Sequence, residues 1–172
     1  MKNFEIRVAK LEDAPGIAKV HVETWQCAYK GQIPASYLDT LSVEQRTNSW
    51  EHNLSHPESK SETFIAIKDD QILGFCIVGP SRDDNVTPSV GEIYAIYVDS
   101  SHQGEGIGTE IIKKGLEYLK TQGFSEATLW VLISNTDGRK FYEKRGWEVE
   151  KETKSEVVKG FELKEVRYKI KF

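Results

Sequence analysis

Apolar and polar positions along the chain repeat with two periods, and the switches between them mark the elements. Residues 1–8 alternate apolar with charged side chains, the period of a half-buried strand and unlike the apolar core of a secretory leader. Asp13 before Ala14-Pro15 is a helix-start signal, because the carboxylate can cap free N–H groups and proline fits the first turn. Ile17, Val20 and Trp25 carry that helix on. Residues 31–39 contain Pro34 and read as a connector, after which Ser42-Val43-Glu44-Gln45 has the form of a capping box and opens a second helix through Trp50 and Leu54. Two short apolar runs, 64–67 and 72–78, flank Asp69-Asp70-Gln71 and predict a hairpin. A polar loop over 80–88 precedes an aromatic-rich strand over 91–98. Ile107, Ile111, Ile112, Leu116 and Leu119 then lie on one helical face, which Gly123 ends. Residues 127–133 form the next strand, 136–145 a short helix closed by Gly146, and strand-like stretches follow at 147–150 and at Val166, Tyr168, Ile170 and Phe172 around a Lys159-Gly160 turn. Alternating strands and helices of this kind predict an α/β (α+β) fold.

Composition narrows the classes. A chain of 172 residues suits one domain, spanning 1–172, with a real core, and 29% charged against 38% hydrophobic residues is globular usage. The formal balance of 23 Lys and Arg against 27 Asp and Glu, −4, argues against nucleic-acid binding as the main role, since that affinity comes from clustered cations. Apolar runs such as residues 129–133 are far short of the about 20 residues of a membrane-spanning helix, so no membrane role is expected. Cys27 and Cys76 lie in apolar-leaning segments without CxxC spacing and read as two buried reduced thiols, which points to a cytoplasmic setting.

The stretch that carries chemistry is Tyr97-Val98-Asp99-Ser100-Ser101-His102-Gln103-Gly104-Glu105-Gly106-Ile107-Gly108-Thr109, a strand passing through a glycine-rich turn into an amphipathic helix. Glycines allow close backbone approach, and the first N–H groups of the helix point outward at the positive end of its dipole, where an anionic phosphate is stabilised. The dinucleotide fingerprint fails because Thr109 stands where its third glycine belongs, and the Gly-Lys-Ser/Thr ending of a P-loop is absent.

Gln103-x-x-Gly106-x-Gly108 resembles the pyrophosphate loop of the GNAT superfamily of acyl-CoA-dependent N-acetyltransferases. A second stretch, Asn135 followed seven residues later by Tyr142 and then by Gly146-Trp147, is similar to that family's downstream signature. The order of elements over nearly the whole chain suits the same family. The resemblance implies a mixed, mostly antiparallel sheet of about seven strands flanked by about four helices, with acetyl-CoA as cosubstrate. It implies that Gln103, Gly104, Glu105, Gly106, Ile107, Gly108 and Thr109 hold the pyrophosphate and that Asn135 bonds the pantetheine arm. Backbone groups of Ile96 and Val98 would bind the cofactor as an added strand does, the Ile96 N–H polarising the thioester carbonyl. Gly138 and Trp147 depart from the family's usual Ala and Phe; glycine lowers helix propensity by about 1 kcal/mol without removing a chemical group.

An alkylamine must lose a proton before it attacks a thioester, and the departing thiolate gains one, so the site needs a base and an acid. Alternation places Glu92, Tyr94, Ile96 and Val98 on one face of their strand, and Glu92 is a lone carboxylate there, made more basic if buried. It lies eleven residues before Gln103, the offset of the base in the histone-acetylating members the loop resembles; exposure at the strand's start is the plain alternative. Tyr142 is the candidate acid and, with the cofactor bound, a neighbour of its thiol; otherwise it is an aromatic on an apolar helix face. Asn135 also suits a helix cap. Trp25 and Tyr29 lie where the acceptor lip forms in similar enzymes, or are simply core. His52 and His56 have a ligand-like spacing, but Pro57 follows and no HExxH glutamate intervenes, so no metal is assigned. No nucleophile elbow is present, and transfer should be direct. The expectation is therefore acetyl transfer to a primary amine of a small molecule, with a peptide N-terminus or protein lysine as alternative acceptors and a non-catalytic acyl-CoA sensor as the alternative class. The resemblance leaves monomer and homodimer both open.

Overall fold

The structure is a computed structural model that describes residues 3–56 and 60–172. Its elements are β1 (Glu5–Val8), α1 (Ala14–Ala28), α2 (Ala35–Leu38), α3 (Val43–Leu54), β2 (Glu62–Lys68), β3 (Gln71–Pro80), β4 (Val90–Val98), α4 (Ile107–Thr121), β5 (Glu126–Leu132), α5 (Thr136–Glu143), β6 (Glu148–Val158) and β7 (Phe161–Lys171). The strands form a seven-stranded sheet in the order β1-β2-β3-β4-β5-β7-β6. β4 pairs with β5 in parallel, whereas the pairs β1 with β2, β5 with β7 and β6 with β7 are antiparallel. The mixed, mostly antiparallel arrangement is the expected one, with five helices instead of about four. The chain divides into two compact units: one runs to Ile77 and resumes over Ala95–Gly115, the other comprises Val78–Tyr94 and Leu116–Phe172.

In the first unit, α1 starts at the expected place by a different device. Asp13 makes no cap to α1; its carboxylate accepts the Lys10 N–H at 2.6 Å, closing a 3₁₀ turn over Leu11–Asp13, and takes two bonds from Arg7 at 2.7 and 2.9 Å. Ala14, Ile17, Ala18 and Val20 of α1 pack with Trp50 of α3 and with Ile65, Ile72 and Phe75 of β2 and β3. Each fully buried Ile, Val or Phe side chain among them contributes about 1.5–3 kcal/mol. α3 is capped as predicted, the Ser42 hydroxyl accepting the Gln45 N–H at 3.2 Å. The connector contains the unpredicted one-turn helix α2, which Pro34 opens. The hairpin between β2 and β3 turns through Asp69 and Asp70, both at positive φ (47° and 63°), as a two-residue turn matched to strand twist requires. Gly74 lets β3 approach β4: a Cβ there would sit 2.8 Å from the Tyr97 carbonyl oxygen. Cys76 is buried, and burial pushes its thiol up to about 12. Cys27 is exposed, correcting the expectation of two buried thiols: it falls on the outer side of the last turn of α1.

In the second unit, β5 runs in register with β7 from Glu126 opposite Lys171 to Leu132 opposite Glu165. Leu119, Ala127, Leu129, Trp147, Leu163, Val166 and Tyr168 are buried. The C-terminal hairpin is longer than its apolar positions suggest. β6 continues to Val158 and β7 begins at Phe161, with Lys159 (φ 51°) and Gly160 (φ 84°) making the turn. A register shift between Val149 and Thr153 interrupts the β6–β7 ladder. Charged residues occupy most of β6, which hides its period of two.

Candidate active site

The glycine-rich turn lies in the first unit. Asp99 accepts the Ser101 N–H at 2.9 Å and its hydroxyl at 2.6 Å, which holds the Asp99 carboxyl below the usual range and stops β4 in a 3₁₀ turn. Gly104 and Gly106 follow at φ 85° and 83°, and a Cβ on either would meet nothing within 4 Å. The glycines are therefore demanded by backbone conformation, with open space above them. α4 then begins at Ile107, which is buried and anchors the turn, and its first helical bond runs from the Glu110 N–H to the Gly106 carbonyl at 3.1 Å. The N–H groups of Ile107 and Gly108 have no carbonyl one turn earlier to donate to. Gln103, Gly104, Glu105 and Gly106 are exposed. The Glu105 carboxylate lies 3.0 Å from His102 Nδ1, a pairing the sequence reading did not weigh.

Upstream of the turn, Ile96 and Val98 are half-buried in β4. The parallel register with β5 pairs Val90 with Glu126 through Ile93 with Leu129 and ends there. Ile96 and Val98 lie beyond that register, where β4 backbone groups can serve an added strand.

Trp25 and Tyr29 also belong to the first unit. Their rings lie 4.4 Å apart, and the Trp25 indole N–H donates to the Tyr97 hydroxyl at 3.1 Å. His21 stacks on Tyr97 at 5.3 Å, and its Nδ1 accepts the Trp50 indole N–H at 3.3 Å. Burial, then the nearby Arg46 charge, push His21 down to about 4, so the imidazole is neutral with its proton on Nε2.

Glu92, in the second unit, is 1% exposed. The carboxylate in the apolar strand is buried, and it is also occupied. Oε2 accepts the Arg82 backbone N–H at 2.8 Å, and Oε1 accepts Arg82 Nη2 at 2.6 Å and Nε at 3.2 Å. The guanidinium lies over the Tyr94 ring, 4.1 Å from its centroid. Tyr94 in turn donates its hydroxyl to the Pro80 carbonyl at 2.6 Å, and burial followed by the Glu92 charge raise its phenol above the ordinary value. The next residue, Asp83, accepts from the Trp130 indole at 3.1 Å and from buried Arg167 at 3.0 Å. Sequence reasoning missed Arg82, because nothing in a polar loop marks which of its charges turns inward.

Asn135 and Tyr142 sit on α5 in the same unit. The Asn135 side-chain oxygen accepts the Gly138 N–H at 2.9 Å, so Asn135 is a helix cap. A Cβ at Gly138 would fall 2.5 Å from Asn135 Nδ2, so the capped conformation needs the space that glycine leaves. Tyr142 is buried, with ring centroids of Phe141, Trp147 and Tyr168 at 5.3, 6.1 and 6.1 Å. The first unit therefore holds the glycine turn with Trp25 and Tyr29, the second holds Glu92, Asn135 and Tyr142, and β4 carries Glu92, Ile96 and Val98 on one strand. His52 and His56 are exposed with rings 4.1 Å apart; Pro57 lies outside the described residues. No cluster of three or more potential metal ligands occurs among the described residues, and no helix among them is long and apolar enough to cross a membrane.

Residues 20–147 match the model of the Acetyltransferase (GNAT) family. The chain is 35% identical over 133 residues to the "Uncharacterized N-acetyltransferase YuaI" of Bacillus subtilis, covering 76% of this chain and 72% of that protein. It is 27% identical to a mycothiol acetyltransferase of Rhodococcus jostii, covering 86% of this chain and 46% of that one. Its fold is similar to that of the PaiA N-acetyltransferase of Thermoplasma acidophilum solved in complex with coenzyme A, with a TM-score of 0.73 at 22% identity over 98% of this chain and 99% of the other.

Proposed function

The chain belongs to the GNAT family of acetyltransferases, and from that membership we propose that it transfers an acetyl group directly from acetyl-CoA to the primary amine of a small molecule. The observation that carries the reading is the turn at Gly104 and Gly106: two positive-φ glycines under open space form an exposed turn that leads into the start of α4, where a helix N-terminus suits a pyrophosphate. Bound acetyl-CoA supplies the activated acyl group and a thiolate leaving group.

The chain's own residues have separable tasks. The turn from Gln103 to Thr109 binds the phosphates through backbone groups. The β4 backbone at Ile96 and Val98 lies beyond the register with β5 and offers N–H and C=O groups to an extended amide arm, the Ile96 N–H polarising the thioester carbonyl. The Asn135 side-chain NH₂ remains a donor while its oxygen caps α5. Glu92 takes the proton that the acceptor ammonium must lose, and Tyr142 delivers one to the departing sulfur. Trp25 and Tyr29 contribute an aromatic surface for the acceptor.

Free-thiol release over an amine panel, with mass detection of the acetylated product, tests the reading. Glu92→Gln is expected to lower kcat by roughly 10²–10⁴-fold while leaving CoA affinity unchanged; full turnover would remove Glu92 from the base role. CoA binding without turnover on any amine, unaltered in Tyr142→Phe, would favour an acyl-CoA sensor.

A further inference from the structure

We propose that the Arg82 guanidinium fills a preformed cation site, and that the acceptor's protonated amine enters by taking its place between the Glu92 carboxylate and the Tyr94 ring. This rests on the reading of Glu92 as the group that receives the acceptor's proton, and it adds how the acceptor is admitted: as an ammonium that displaces a resident cation.

The walls of the site stand without the Arg82 head group. Glu92 Oε2 is held by the Arg82 backbone N–H, which stays when the side chain swings away. The Tyr94 ring is fixed by its hydroxyl bond to the Pro80 carbonyl. The loop between β3 and β4 keeps its path through the Ser81 N–H bond to the Val90 carbonyl at 3.0 Å and through Asp83, bound to Trp130 and Arg167. Arg167 is itself clasped by Glu150 at 2.6 Å. What remains movable is the Arg82 side chain, 58% exposed on the loop, whose departure needs rotations about single bonds and no unfolding.

The exchange is balanced in charge. A buried carboxylate needs a counter-charge, so a cation can replace the guanidinium where a neutral molecule cannot. The Oε1 atom and an aromatic face 4.1 Å from the present cation suit an ammonium with an alkyl stem. Once an ammonium N–H lies on Oε1, the N–H bond breaks, its electron pair stays on nitrogen and the proton passes to the carboxylate, leaving a neutral amine and a neutral carboxyl. The amide product carries no charge. When the carboxyl returns its proton to water, Arg82 re-enters and the product has nothing to hold it there.

The experiment compares wild type with Arg82→Ala and, should the alanine variant unfold, Arg82→Gln. Methylguanidinium chloride is the probe, with sodium chloride at equal ionic strength and neutral acetamide as controls. In the variant, methylguanidinium is expected to raise the melting temperature above both controls, and this response disappears when Glu92→Gln is added. KM for a primary-amine acceptor is expected to fall by roughly tenfold, with methylguanidinium competing against the amine. A variant that responds to methylguanidinium no more than to the controls overturns the proposal. So does a variant whose lost turnover methylguanidinium restores, since Arg82 would then be a required counter-ion and not an occupant. Failure of the base reading looks different: Glu92→Gln would retain turnover while the Arg82 variant still bound the cation.

Discussion

The His21 imidazole, wedged against Trp50, Phe75 and Tyr97, shows how one side chain sets a pH response. Burial lowers it to about 4 from an unfolded value near 6.5, so between those values the unfolded chain binds a proton that the fold refuses. Stability from this group is complete above pH 6.5 and declines as pH falls toward 4. Between pH 7 and pH 5 the decline amounts to about 2 kcal/mol. His21→Phe should remove that part of the acid slope in urea titrations at the two pH values. An unchanged slope would show that His21 is not the group responsible. Glu92 illustrates what can and cannot be read from sequence at this scale. A lone carboxylate in an apolar strand was visible and is buried, whereas its partner Arg82 lies ten residues earlier, and the pairing depends on a loop path that periodicity does not encode. Likewise Cys27 shares a helix with buried residues, but a one-residue step rotates it by 100° to the outside.

At the scale of elements, the α5 start couples stability to chemistry. Gly138→Ala adds helix propensity of about 1 kcal/mol and, by displacing the Asn135 amide, removes a cap of about the same size. The melting temperature should therefore move by less than about 2 °C, while CoA affinity changes because Asn135 has rotated; unchanged affinity would take Asn135 out of the cofactor site. In the turn before α4, Gly106→Asp adds a side chain at φ 83° and a negative charge at a helix start, and should weaken CoA binding by at least about tenfold in calorimetry. Retained affinity would contradict the assignment of the loop. The start of α1 was legible in the sequence for a reason the structure revises: Asp13 serves the preceding 3₁₀ turn and Arg7, and α1 takes its first-turn proline regardless. α2 escaped notice because one turn is too short for a 3.6-residue period to declare itself. β6 hides its extent because Glu150 and Glu152 take half-buried positions while Val149 and Val157 face outward, the reverse of the pattern that marks a strand.

For the whole molecule, net charge proves to be the wrong scale for ligand selection. A chain at −4 can hold a highly anionic cosubstrate when backbone N–H groups supply the positive end, so raising salt should weaken CoA binding far less than the steep loss seen where lysine and arginine clusters grip phosphates. The sheet order also sets what happens at high concentration. Its two outermost strands are β1, four residues long, and β6, eleven residues long, and only the second offers a ladder long enough to recruit another chain. The charges on β6 and the register shift between Val149 and Thr153 spoil that template, since a matching strand would bring like charges together and miss its bonds at the bulge. Lys151→Val with Glu156→Val should accordingly promote concentration-dependent aggregation in sedimentation runs, with monomer-level secondary structure intact. Residues that looked like noise in the strand pattern are thus the ones that oppose pairing at the sheet's long edge.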